Sequence, residues 1–73
     1  MNLPNHQIVA SVRSQYPEGT RVRLISMIDP YSKLKPGATG TVTLVDDTAT
    51  VFVRWDNGST LGVLFRIDRI AKI

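Results

Sequence analysis

The chain has 73 residues, so it has room for one small domain with a thin core, because a chain of this size buries only about 60 per cent of its unfolded surface. It contains no cysteine and a single histidine, which excludes disulfides and a Cys/His zinc site as staples and leaves packing to supply stability. Nine basic side chains against six acidic give a net charge of +3, with basic ends and an acidic middle. That balance suits a nucleic-acid surface and plain solubility equally.

The apolar fraction of 42 per cent is too high for a disordered chain. "MNLPNHQIVASVRSQ" lacks the basic and apolar regions of a secretory signal, and no apolar run approaches the roughly 18 residues of a membrane span. A soluble cytoplasmic protein with no membrane partner is therefore expected. The absence of cysteine is compatible with a reducing compartment.

Residues 4–15 suit a short helix. Ile8, Val9, Val12 and Tyr16 form one apolar stripe, Pro4 fits a first turn, and Pro17 with Gly19 ends the pattern. The period then changes to two. Over Thr20–Ile28, Val22, Leu24, Ser26 and Ile28 share one face of a strand; Arg21, Arg23, Ile25 and Met27 share the other. "DPYSKLKPGATG" follows as a loop in which Pro36-Gly37 fits a type II turn.

Thr39–Val45 is the next strand, with Val42 and Leu44 on one face and Gly40 marking a bulge or a close backbone approach. After the tight connection Asp46–Ala49, Thr50–Asp56 aligns Val51, Val53 and Trp55. Asn57-Gly58 reads as a two-residue type I′ hairpin turn, Ser59–Leu64 returns, and Arg66–Ile73 offers a last strand with Ile67 and Ile70. Five short strands with turns every 8–12 residues predict a mainly β fold, a small SH3-like barrel with a short N-terminal helix. Residues 1–73 form a single domain on this reading, with the helix over 4–15 and the barrel over 20–73.

Two resemblances sharpen the expectation. "KPGATGTVTLV" resembles the turn and strand of KOW-type modules of ribosomal proteins and transcription elongation factors. From Val9 onward the chain is similar to a family of short bacterial and phage proteins of unknown function. The shared motifs stand here at Tyr16–Val22, Asp29–Tyr31, Pro36–Val42 and Trp55–Ser59. The resemblance implies an SH3-like fold and a phage or mobile-element setting, and it supplies no activity. Family members often end in an acidic or neutral tail, whereas this chain carries Arg66, Arg69 and Lys72.

Three stretches could carry a site. Trp55 and Arg54 could form a stacking platform for single-stranded nucleic acid, but Trp55 shares parity with Val51 and Val53, which assigns it to the core. Arg21, Arg23 and Arg54, with Phe52 beside Arg54, lie on outward faces. They would make a phosphate-contacting patch if those faces are adjacent, and otherwise a solvated exterior with Asp56 or Glu18 as loose partners. The long loop displays Tyr31, Lys33 and Lys35, and loops of this length are often functional.

Asp46-Asp47 falls short of the oxygen cage a divalent cation needs, and His6 reads as a helix surface residue. There is no nucleophile with a base, no phosphate-cradling glycine loop and no spaced carboxylate pair. A barrel this small should lack a pocket of some hundreds of cubic ångströms unless it oligomerises. A non-enzymatic binding module without cofactor is the expectation. Its partner is a protein; nucleic acid on the basic face, or a small anionic ligand such as a nucleotide signal held between subunits of an oligomer, are the alternatives.

Overall fold

The computed structural model describes residues 5–28 and 34–73. Helix α1 spans His6–Gln15. It begins at Asn5, whose backbone is extended and whose side-chain oxygen accepts the Ile8 N–H at 2.9 Å, satisfying one donor left free at a helix start. Pro4, the expected first-turn residue, lies outside the described residues. The helix ends where Tyr16 N–H bonds Val12 O (2.9 Å), and Pro17 follows. A turn closed by Thr20 N–H to Pro17 O (3.0 Å) then places Gly19 at φ +90°, a conformation that favours glycine. As the stripe predicts, Val9 and Val12 are buried, with Ile8 and Tyr16 packed beside them.

Five strands follow: β1 (Arg21–Ser26), β2 (Thr39–Val45), β3 (Val51–Trp55), β4 (Gly62–Val63) and β5 (Arg69–Lys72). All pairs are antiparallel, in the order β4-β3-β2-β1-β5, so the molecule is mainly β with one short helix. β1, β2, β3 and β4 are a meander, and β5 returns to the free edge of β1. β1, β3, β4 and β5 are shorter than the periodicity predicts, β4 most of all, since it covers only Gly62–Val63. The Pro36-Gly37 turn forms as expected, with Gly37 at φ +96° and Ala38 N–H bonded to Lys35 O (3.0 Å).

The Asn57-Gly58 turn differs from expectation. A type I′ turn needs positive φ at both central residues, yet only Gly58 has it (+92°). Gly58 N–H bonds Trp55 O (2.9 Å) and Trp55 N–H bonds Ser59 O (2.8 Å), so the loop has three residues and ends in a left-handed one. The β2–β3 connection repeats this arrangement. Ala49 N–H bonds Asp46 O (3.0 Å), Asp46 N–H bonds Thr50 O (3.1 Å), and Ala49 is the left-handed residue at φ +61°. There the Asp46 carboxylate accepts from Thr48 N–H, Thr48 O–H and Thr50 N–H, and these bonds hold it below the usual carboxylate range, the Thr48 hydroxyl contributing most.

Two bulges correct the predicted faces. Between Val42 and Leu44 the β2–β3 register shifts, so Leu44 turns outward and Val45 takes the inward place. Between Leu24 and Ser26 the β1–β5 register shifts likewise. Val22 and Leu24 are buried as predicted, but Ser26 and Ile28 are exposed and Met27 packs on the core. One extra residue reverses every side chain beyond it.

Elsewhere parity holds. Val51, Val53 and Trp55 point inward, and the fully enclosed Trp55 donates its indole N–H to Leu61 O at 3.0 Å. Burial of each Val or Leu contributes about 1.5–3 kcal/mol. Gly40 is a close approach rather than a bulge: a Cβ there would stand 2.6 Å from Val53 Cγ1 and 2.8 Å from Arg54 O.

The helix docks on its own sheet. Arg13 donates from Nε to Val45 O (3.0 Å) and from Nη2 to Asp47 (2.9 Å), tying the last turn of α1 to the β2–β3 loop. No described helix is long and apolar enough to cross a membrane.

Candidate functional site

The outward face of the sheet brings the expected arginines together. Arg21, Thr41 and Arg54 form one cross-strand row, since Arg21 pairs with Thr41 and Thr41 with Arg54. At about 4.8 Å per strand, the two arginine backbones stand about 10 Å apart. Arg23 faces Thr39 in the next outward row, and Asp56 lies beyond Thr39, bonded to it through backbone.

Within this face Arg21 is not free. Its guanidinium grips Asp56 bidentately, at 2.8 and 2.7 Å, and a third contact reaches the Thr41 hydroxyl at 3.1 Å. Thr39 O–H also donates to Asp56 (2.6 Å). The Arg21 bonds first and the Thr39 bond second hold the Asp56 carboxyl far below its usual range, and Asp56 in turn raises the Arg21 pKa. Asp56 is thus a fixed counter-ion, not a loose one. Arg23 and Arg54 are exposed and have no ion-pair partner among the described residues.

Phe52 serves the sheet. It is half-buried, faces Leu44 and Gly62 on its two neighbouring strands, and its ring lies where a Gly62 side chain would begin, 3.3 Å from that Cβ position. Lys35 is exposed at the turn that extends the β1–β2 hairpin beyond Arg23, next to the buried Leu34. Tyr31 and Lys33 lie outside the described residues.

The structure also contains a feature that the sequence reading did not anticipate. A groove of about 440 Å³ runs between the end of α1 and the β4–β5 connection, contrary to the expectation that so small a protein has no such space. Val12 of α1, Tyr16 at its C-terminal cap, Ile25 of β1, Val63 at the end of β4 and Ile70 of β5 supply apolar surface. Leu64, Phe65, Arg66 and Arg69 also line it. Ile25 and Leu64 remain nearly half exposed, at 47% and 46%.

Charge on this rim is one-sided. The only carboxylate among the described lining residues, Asp68, is turned onto backbone: Oδ2 accepts Leu64 N–H (2.9 Å) and Oδ1 accepts Ile28 N–H (3.1 Å). The Arg66 guanidinium lies 5.0 Å from the Phe65 ring centre, and Lys72 lies 5.5 Å from that of Tyr16. Both cations are thereby held near the rim by aromatic faces. Arg69 has no ion-pair partner among the described residues.

Arg66 also sits at φ +65°. A side chain in this left-handed conformation costs about 1–2 kcal/mol, and such strain gathers where a residue is positioned for a purpose. The arrangement can enclose aliphatic side chains on its floor and pair with carboxylates at its edge. The sequence signal for it is the basic run Arg66, Arg69 and Lys72.

The family model described as Domain of unknown function (DUF4314) matches residues 5–73. No curated protein and no solved structure matches the chain.

Proposed function

The chain belongs to the DUF4314 family, and from that premise we propose that it is a cytoplasmic, non-enzymatic protein-binding module of SH3-like build whose docking site is the groove between α1 and the β4–β5 connection. The observation that carries this reading is the combination of an apolar floor with a rim where Arg66 and Arg69 have no ion-pair partner among the described residues and Asp68 is bonded to backbone. Interfaces are anchored by a few well-packed apolar, aromatic and arginine side chains, and the groove concentrates all three. The return of β5 to the edge of β1, closing a meander, supports the SH3-like build. A phage or mobile-element setting, with a host protein as partner, belongs to the same proposal.

Nucleic-acid binding on the outer face has less support. Asp56 neutralises Arg21, one of the three cations that face would use. In the groove, the Phe65 and Tyr16 rings that could stack on bases already carry Arg66 and Lys72 over them.

The test is site-specific photo-crosslinking in cells. A photo-reactive residue replacing Leu64 should give a discrete protein adduct, while the same residue replacing Thr43 on the opposite, outward face should not. Adducts at neither position, or at Thr43 alone, would remove the proposal.

A further inference from the structure

Of the sheet's two outer edges, that of β5 lies open beside this groove. β5 pairs only with β1, and Ile73 N–H bonds Arg21 O (3.1 Å), which fixes the phase of the ladder. In an antiparallel pair the hydrogen-bonded partners alternate, so Arg23 and Ala71 also exchange bonds, whereas Ile70 and Lys72 direct their N–H and C=O groups away from β1. Among the described residues those outward groups have no backbone partner. β4 and β5, the two outermost strands, both line the groove, which makes it the seam of the sheet.

Resting on the docking reading above, we infer that the occupant is an extended acidic segment of another protein, which adds as a strand along the outer edge of β5. Such addition takes its affinity from main-chain bonds and its specificity from alternate side chains. Here the bonds are those of Ile70 and Lys72. One set of alternate side chains would enter the apolar floor between Ile25 and Val63; carboxylates from the segment would meet Arg66 and Arg69 on the groove and Lys72 beside Tyr16. Complementary charge sets the partner's sign. A second copy of a chain with net charge +3 brings repulsion to a cationic rim, and a lipid surface offers nothing to the open main-chain groups.

The experiment uses the whole chain and a displayed library of random twelve-residue peptides. Selection should enrich alternating apolar sequences containing Asp or Glu. Binding of the best selected peptide is then measured by fluorescence anisotropy.

Lys72→Pro removes an outward N–H while sparing the bonds of Ala71 to β1, and should weaken binding more than about tenfold; Lys72→Ala, which keeps that N–H and removes the charged side chain, should weaken it less. Because Lys72→Pro could perturb β5, the same peptide methylated at its central backbone nitrogens provides the independent check and should also lose affinity. Unchanged binding by both Lys72→Pro and the methylated peptide would overturn strand addition. Enrichment of sequences without acidic residues, or none at all, would overturn the acidic segment. A concentration-dependent dimer abolished by Lys72→Pro would assign the edge to a second copy and overturn it likewise. In each of these cases an adduct at Leu64 would leave the docking reading standing, so the two failures are distinguishable.

Discussion

Replacing Gly40 by alanine tests the close packing of β2 on β3 directly. A Cβ at this position would meet Val53 Cγ1 at 2.6 Å, Arg54 O at 2.8 Å and Trp55 Cα at 3.0 Å. Two of these three atoms are backbone, in the central ladder of the sheet, and cannot rotate away. Overpacking of a tight core costs about 1–3 kcal/mol, and backbone obstruction puts Gly40→Ala in the upper part of that range. The smaller entropy of the unfolded alanine chain offsets only about 0.4–1 kcal/mol. The net loss is about 2 kcal/mol, and each kcal/mol shifts the melting temperature of a domain this size by about 4–8 °C.

Trp55 is the only tryptophan and is buried, so its fluorescence reports the transition. Gly62→Ala is the comparison: its added Cβ meets only side-chain atoms, Thr50 Cγ2 at 2.7 Å and two atoms of Phe52, which can shift. Its loss should be under about 1 kcal/mol. Equal melting temperatures for the two variants, or a Gly40→Ala protein as stable as the parent, would refute the reasoning.

Stability should fall with acid. Asp46 and Asp56 both have folded pKa values below the ordinary one, so the unfolded chain takes up their protons first; their contribution is full above about pH 4 and is lost as pH drops through the folded values. Urea titrations from pH 6 to pH 2 should show this decline, and Asp46→Asn with Asp56→Asn should flatten it. Arg13→Ala removes the bond to Val45 O and should cost about 1–2 kcal/mol in denaturant unfolding, while Asp47→Ala, which breaks only an exposed pair, should cost almost nothing. Arg66→Gly relieves a left-handed side chain and should raise stability by up to about 1 kcal/mol while weakening the adduct at Leu64, read by melting and crosslink yield on the same sample.

The parts of the fold that could be read from sequence were those that obey an uninterrupted period. Val51, Val53 and Trp55 alternate without a break, and Trp55 is core as their parity requires. Val9 and Val12 mark the buried side of the helix for the same reason.

The failures lie where one residue was added. Ile25 and Thr43 sit at register shifts without a glycine to mark them, so simple alternation places Ile28 and Leu44 on the wrong face. The conspicuous Gly40 is explained by packing instead. The adjacency of Arg21 and Arg54 was a conditional in the sequence and becomes a fact of register. The grip of Asp56 on Arg21 could be named as a partnership but not graded, because it runs diagonally across β2. The groove was illegible because α1, β1 and the β4–β5 segment contribute to it from three separated stretches.

The pairing of β5 with β1 also sets an order of events. Strands β1, β2, β3 and β4 are neighbours in the chain and can zip locally, whereas residues 27–68 lie between the partners of the last ladder. Contacts with long sequence separation form after the closure entropy has been offset by local ones. During folding β1 therefore waits as an unpaired edge, with Val22 and Leu24 uncovered on that side, until Arg69–Lys72 arrives. That makes β5 the element whose docking governs both the speed of folding and the exposure of the half-formed sheet to aggregation.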